Sequence, residues 1–318
     1  MKSFLSEVFE HPALQNKPPV LIDVGASGAL PEQWKLIAPY SICVAFDADT
    51  RDFNVTESDS GGYRKLYLLN RLVAAKSAEE VDFYLTRSPY CSSSLHPDNA
   101  ALKPWAFSGL FEVDRAVAMP AVDLVGALGA IGIDYLDWYK SDSQGTDLRI
   151  FKALPASTIS KVIAAEFEPG IIDAYLGEDK LHQLMSYMDS ESFWITRMRI
   201  KGSQRIDQED LAELNGLQRR YIGSFLKMAP GWCEISYLNK FDTGTMGLRE
   251  YLLGWVFSSI YQEYGFALHL AKEGKAIFNE PLFDEMEVIS KKALTGGYFK
   301  LAVRAFDKLV GLMAGFSK

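Results

Sequence analysis

The chain has 318 residues, 48% of them hydrophobic and 23% charged, which is enough to bury a full core and excludes disorder as the default. A formal net charge of −8 gives no general attraction for phosphate backbones and argues against nucleic acid as partner or substrate. The three cysteines, Cys43, Cys91 and Cys233, are far apart and odd in number; they suggest neither a disulfide framework nor a zinc site, and they fit a reducing cytoplasm.

Residues 1–18 mix Glu, His, Asn and Pro into their apolar positions, so they read as a leading helix and linker, not as a signal peptide. From Pro19 to about Phe241 short β-rich runs alternate with helical patterns, the rhythm of an α/β domain whose mostly parallel sheet is covered on both faces. VLIDVG (Val20 to Gly25) is an apolar run ending in Asp-x-Gly and predicts a buried first strand and its turn. SICVAFDAD (Ser41 to Asp49) repeats that format and predicts a parallel neighbour, with Pro31 to Ile37 as the crossover helix between them. Further strands are expected at Arg71 to Ser77, Val81 to Arg87, Leu136 to Asp142, Lys161 to Pro169, Phe193 to Ile200 and Cys233 to Lys240, with helices at Leu148 to Leu154 and Lys180 to Met188.

The expected domain spans residues 19–245, and residues 246–318 form a helical appendage without further strands, because Leu252, Leu253, Val256, Phe257, Ile260 and Tyr264 recur at helical spacing. Tyr251 to Ala271 is the longest apolar stretch, but it contains Gln262, Glu263 and His269 and reads as a buried helix, since an ionised residue at a bilayer centre costs about 2.5–3.5 kcal/mol. Between Lys291 and Lys318 six basic residues face one acid, with Phe299, Val303, Phe306 and Val310 at helical spacing. This predicts an amphipathic surface helix, packed on its own domain or in weak contact with anionic lipid.

Asp23-Val24-Gly25-Ala26-Ser27-Gly28 follows a strand and precedes a helix, where small residues let the backbone approach a ligand. Asp47 closes the next strand twenty-four residues after Asp23, the place of a carboxylate that accepts bonds from ribose hydroxyls. These residues point to an adenosine-containing cofactor, nicotinamide and flavin cofactors included; the other reading is a tight turn required by packing alone. The order D-x-G-x-x-G lacks the first glycine of the pyrophosphate-binding G-x-G-x-x-G. S-adenosylmethionine, which has no phosphate, suits it better.

LIDVGASGALPEQW, VAFDAD, FYLTRSPYCSSSLHP, DWYKSDSQGTDLRIFKAL and VIAAEFEP, in that order from about Val20 to Pro169, resemble the FkbM methyltransferase family. The fourth block carries Lys140, Asp142, Gly145 and Asp147 at the family's positions, with Gln144 and Thr146 as variants. Asp47-Ala48 stands where the family has Glu-Pro, and Ala29 replaces a frequent glycine. The resemblance implies a Rossmann-like class I methyltransferase sheet of about seven mostly parallel strands. It also implies S-adenosylmethionine as cofactor and methyl transfer to a hydroxyl of a sugar, glycan or small natural-product-like acceptor. A nicotinamide-dependent oxidoreductase is the rival enzyme, and a non-catalytic donor-binding or scaffolding protein is the rival from another class.

On this reading the cofactor is held by Asp23, Gly25, Ala26, Ser27, Gly28, Asp47, Ala48, Ser93, Ser94 and Asp142. Asp142, at a strand's carboxyl end, is the candidate base; it also has a structural alternative, capping the helix near Thr146 or accepting a bond from the donor's amino group. His96 and Glu166 are the other candidate bases, and Lys140, Gln144, Glu166 and Glu168 are candidate acceptor contacts, Glu166 and Glu168 alternating on one strand face. No residue cluster has metal-ligand spacing, and no hydrolase triad accompanies Ser92 to Ser94.

Overall fold

The computed structural model describes residues 2–26, 30–49, 51 and 62–296. The chain divides into two compact units, Lys17–Thr245 and Met1–Asn16 with Met246–Lys318.

The larger unit contains strands β1 (Val20–Val24), β2 (Ile42–Phe46), β3 (Lys65–Leu69), β4 (Leu72–Val73), β5 (Ala78–Thr86), β6 (Val113–Val122), β7 (Trp138–Ser141), β8 (Ala164–Phe167), β9 (Phe193–Ser203) and β10 (Ala229–Asn239). Seven of them form one sheet in the order β3-β2-β1-β7-β8-β10-β9. Every pairing from β3 to β8 is parallel, and β10 runs antiparallel to both β8 and β9. This is an α/β fold with a mostly parallel sheet, compatible with a Rossmann-like arrangement. The chain moves outward from β1 to β3 and then returns to place β7 on the other side of β1. The strand order therefore reverses at the β1/β7 pair, where open α/β sheets bind ligands beyond the carboxyl ends of their strands.

The central strands are near-continuous apolar runs because both of their faces are covered. One face gathers Ile22, Val24, Phe46, Tyr139 and Phe167 with Ile150 and Phe151 of the helix Asp147–Lys152 and Leu184 and Met188 of the helix Leu181–Ser190. Phe151 sits at the focus of this layer, its ring 5.1 Å from Tyr139 and 5.3 Å from Phe167. On the other face Trp34 meets Trp138 edge-on at 5.9 Å.

Four expectations are corrected. The crossover after β1 is not an α-helix but two 3-10 segments, Glu32–Leu36 and Ala38–Tyr40, since Pro39 has no N–H to continue an α-helix begun at Pro31. Only Leu72 and Val73 of Arg71 to Ser77 form a strand. They pair with β6, and with β5 the two make a separate three-stranded sheet, so residues 71–122 do not extend the main sheet. The third concerns omissions: β3 and β6 were not expected, and neither were the helices Gln208–Ala212 and Gly216–Phe225 between β9 and β10.

In the smaller unit, Tyr251 to Ala271 is not one helix. Gln262, at φ 64°, separates Leu248–Ile260 from Tyr264–Phe278. Residues 282–296 are also helical. Trp255 is fully buried, edge-on to Phe4 at 5.6 Å and donating its indole N–H to Ser290 Oγ at 2.9 Å. Among the described residues no helix is long and apolar enough to cross a membrane. Phe299, Val303, Phe306 and Val310 lie outside the described residues.

Candidate functional site

The first turn and the end of β7 are held together at backbone level. Gly25 adopts φ 78°, and a Cβ on it would stand 2.1 Å from the carbonyl oxygen of Asp142, so only glycine fits this close approach. The amide of Asp142 donates to Val24 O at 2.9 Å, and the amides of Gly25 and Ala26 both donate to Phe46 O, at 2.9 and 3.0 Å. Asp23, two residues before Gly25, is fully buried and pairs across the strands with Lys140 Nζ at 2.6 Å. Burial opposes the charge on Lys140, but Asp23, with help from Asp142 and Glu166, outweighs it and raises the ammonium's pKa.

The block from Lys140 to Asp147 runs from the end of β7 through a loop to the start of the helix Asp147–Lys152, and it sets Asp142 apart. Asp147 Oδ1 accepts bonds from Ser141 Oγ, Ser143 N at 2.9 Å and Ser143 Oγ at 3.0 Å, so Asp147 closes the loop. The helix-capping alternative for Asp142 is thereby answered: its Oδ1 instead accepts from Gln144 Nε2 at 2.5 Å. Gln144, at φ 55°, is held in turn, its Oε1 accepting from Tyr175 OH at 2.9 Å and its carbonyl from Ser93 Oγ at 2.7 Å. Gly145, at φ 99°, leaves room for Glu178, whose Cβ would be 2.9 Å from any side chain there.

Three cavities meet at Asp142. A narrow cleft of about 60 Å³ runs past Gly25, Asp47 and Ala48. A larger cavity of about 360 Å³ is walled by Tyr90, Phe107, Phe111, Tyr175 and Trp232, with Asp142, Glu168 and Glu178 also lining it. A third, of about 140 Å³, has a charged lining that includes Lys140, Glu166, Glu168, Arg197 and Glu234.

Burial is the main force raising the Asp142 carboxyl well above the usual carboxylate range. The charge of Glu168 adds to it, and Lys140 and Gln144 oppose it. Glu168 is pushed up to about 6, first by burial and then by Glu234 and Asp147, against a hydrogen bond from Trp232. Asp47 is buried and its Oδ1 accepts from Asp49 N at 2.7 Å. Asp49 is clasped by Arg51 through Nε at 2.9 Å and Nη2 at 2.6 Å. Burial disfavours its charge, yet these bonds prevail and lower its pKa. Arg51 Nη2 also donates to Ser92 Oγ at 2.9 Å, which joins the second strand's end to the loop bearing Ser92 to Ser94.

The remaining candidates are distributed unevenly. Gly25, Asp47, Ala48, Asp142 and Gln144 border the narrow cleft, whereas Asp23 lies beneath it holding Lys140. Ala26 is buried against Ala45 and Leu68, and Ser27 and Gly28 lie outside the described residues. Ser93 braces Gln144 and Leu95, while Ser92, of the run Ser92 to Ser94, lines the cleft; Ser94 borders none of the three cavities. His96 is exposed, edge-on to Tyr84 at 4.9 Å, and borders none of them either. Glu166 and Glu168 do line one cavity together, but Glu166 already accepts from Trp138 Nε1 at 2.7 Å and Gln33 Nε2 at 3.1 Å.

Sequence reasoning did not find Asp49, Arg51 and Ser92, nor the aromatic wall, whose residues are scattered from Tyr90 to Trp232 with no local pattern. The closely spaced acids of the DAD run were the one available signal. Among the described residues no group of three or more His, Cys, Asp or Glu side chains is placed to hold a metal ion. No family model, curated protein or solved structure matches this chain.

Proposed function

We propose that the chain is an S-adenosylmethionine-dependent O-methyltransferase of FkbM type, acting on a hydroxyl of a sugar, glycan or small natural-product-like acceptor. The observation that carries this reading is the position of Asp142, at the carboxyl end of β7 and the reversal point of the sheet, bordering both the Gly25–Asp47 cleft and the aromatic cavity. A seven-stranded, mostly parallel sheet is what the family resemblance implies.

The residues of the cleft suit this donor better than a dinucleotide. Asp47 lines it and is placed to accept the ribose hydroxyls, and Phe46, Leu72 and Phe83 offer apolar surface for an adenine. A pyrophosphate needs free amides in the first turn, and among the described residues of that turn the amides of Gly25 and Ala26 are already spent on Phe46 O. At about 60 Å³ the cleft is below the usual ligand-pocket range of about 300–1,000 Å³, so donor entry requires it to widen.

The bound donor supplies a methyl group on a sulfonium already activated for displacement, so the protein's task is positioning and exclusion of water. Asp142 holds or removes the acceptor hydroxyl proton, and its raised pKa makes it a stronger base than an exposed carboxylate. Gln144 fixes one carboxylate oxygen of Asp142, and Tyr175 fixes Gln144. The test is Asp142→Asn. Turnover of labelled methyl into acceptors from cell extract falls by about two to four orders of magnitude with donor affinity nearly intact. Loss of donor binding with turnover preserved at saturation would instead place Asp142 in the cofactor site.

A further inference from the structure

The lining of the 360 Å³ cavity contains three carboxylates, Asp142, Glu168 and Glu178, and, among the described residues, no lysine, arginine or histidine. Glu178 is answered from its own segment by Lys180 Nζ at 3.0 Å and Ala174 N at 2.7 Å. Asp142 and Glu168 are not matched in this way. The cation whose field reaches both is Lys140, and its Nζ is committed to Asp23 at 2.6 Å. The cavity therefore sets two carboxyl groups that lack a cation of their own, Asp142 and Glu168, opposite an aromatic wall in which Phe107 meets Trp232 edge-on at 6.0 Å and Phe111 meets Tyr175 at 5.5 Å.

Carboxylates and π-faces both attract an ammonium group, whereas the same lining repels a phosphate or carboxylate and offers a neutral polyol only hydrogen bonds in which the donor carries no charge. We infer that the molecule entering this cavity is a hydroxylated amine, an amino sugar or amino alcohol, whose ammonium lies against Glu168 and the aromatic wall while its hydroxyl lies at Asp142. Naming the hydroxyl as the methylated group rests on the methyltransferase reading; the preference for a cation does not. The inference also excludes acceptors that would carry a phosphate or sugar acid into this cavity.

Three matched probes test it by calorimetry on the full chain: D-glucosamine, D-glucose and D-glucuronate, with S-adenosylhomocysteine titrated in a separate arm. Glucosamine binds about tenfold or more tightly than glucose, the usual gain of a charge-assisted over a neutral hydrogen bond, and glucuronate binds more weakly than either. Glu168→Gln reduces the glucosamine preference to about threefold or less and leaves S-adenosylhomocysteine affinity unchanged. Equal binding of glucosamine and glucose, tighter binding of glucuronate, or binding of none of the three at the highest soluble concentration overturns the inference. Failure of the S-adenosylhomocysteine arm alone overturns the methyltransferase reading and leaves the amine preference standing.

Discussion

Replacing Glu168 by Gln removes a charge that the fold resists, so stability and function move in opposite directions. The Glu168 carboxyl stands at about 6 in the folded protein against an ordinary 4.5. Below the ordinary value it is protonated in both folded and unfolded chains and contributes nothing. Above about 6 it is ionised in both, and folding then bears the difference of about 2 kcal/mol. Glu168→Gln keeps an oxygen for the Trp232 hydrogen bond and carries no charge, so at pH 8 it gains up to about 2 kcal/mol, shrinking toward zero as the pH approaches 4.5. The Asp142 carboxyl loses an upward influence in the same variant, and its pKa falls. Urea denaturation of both proteins across pH 4.5–8, followed by circular dichroism, measures the effect. A variant no more stable than the parent at pH 8, or stabilised equally at every pH, would refute the electrostatic account of this site.

Gly25→Ala places a Cβ 2.1 Å from the Asp142 carbonyl oxygen at a positive φ; the backbone conformation alone costs about 1–2 kcal/mol and the overlap adds to it. Urea denaturation should show a loss above that figure, and donor calorimetry a loss of affinity, because the turn can no longer hold its position against β7. Phe151→Ala empties the centre of the aromatic layer between Tyr139 and Phe167 and should destabilise the larger unit by about 3–5 kcal/mol, read by the same denaturation.

The parts of the fold legible in the sequence were those whose burial is two-sided. β1, β2 and β8 announce themselves as apolar runs with acids at or near their ends, because a covered parallel strand has no solvent face to alternate with. β6, by contrast, has mostly exposed or half-buried residues and a proline at position 120, so no periodicity marks it. Its antiparallel pairing with β5 depends on contacts distant in sequence. At the site, the residues of the contiguous segment from Lys140 at the end of β7 to Asp147 at the next helix start were readable as a block. Their division of labour was not: which carboxylate closes the loop and which faces the cavities depends on the left-handed backbone at Gln144 and Gly145. The pairing of Asp23 with Lys140 across the strands illustrates the same limit, since nothing in its Asp-x-Gly motif announces it.

The central claim is that the cleft over Gly25 and Asp47 takes a sulfonium donor and not a dinucleotide. Calorimetry with S-adenosylmethionine, S-adenosylhomocysteine and NAD, on the parent chain and on Asp47→Ala, tests it most directly. The account predicts that both donor species bind the parent and that NAD does not. It also predicts that Asp47→Ala weakens donor binding by about tenfold or more while turnover at saturating donor changes little, since ribose bonds are made equally in the ground and transition states. Binding of NAD with no response to either donor species would contradict it.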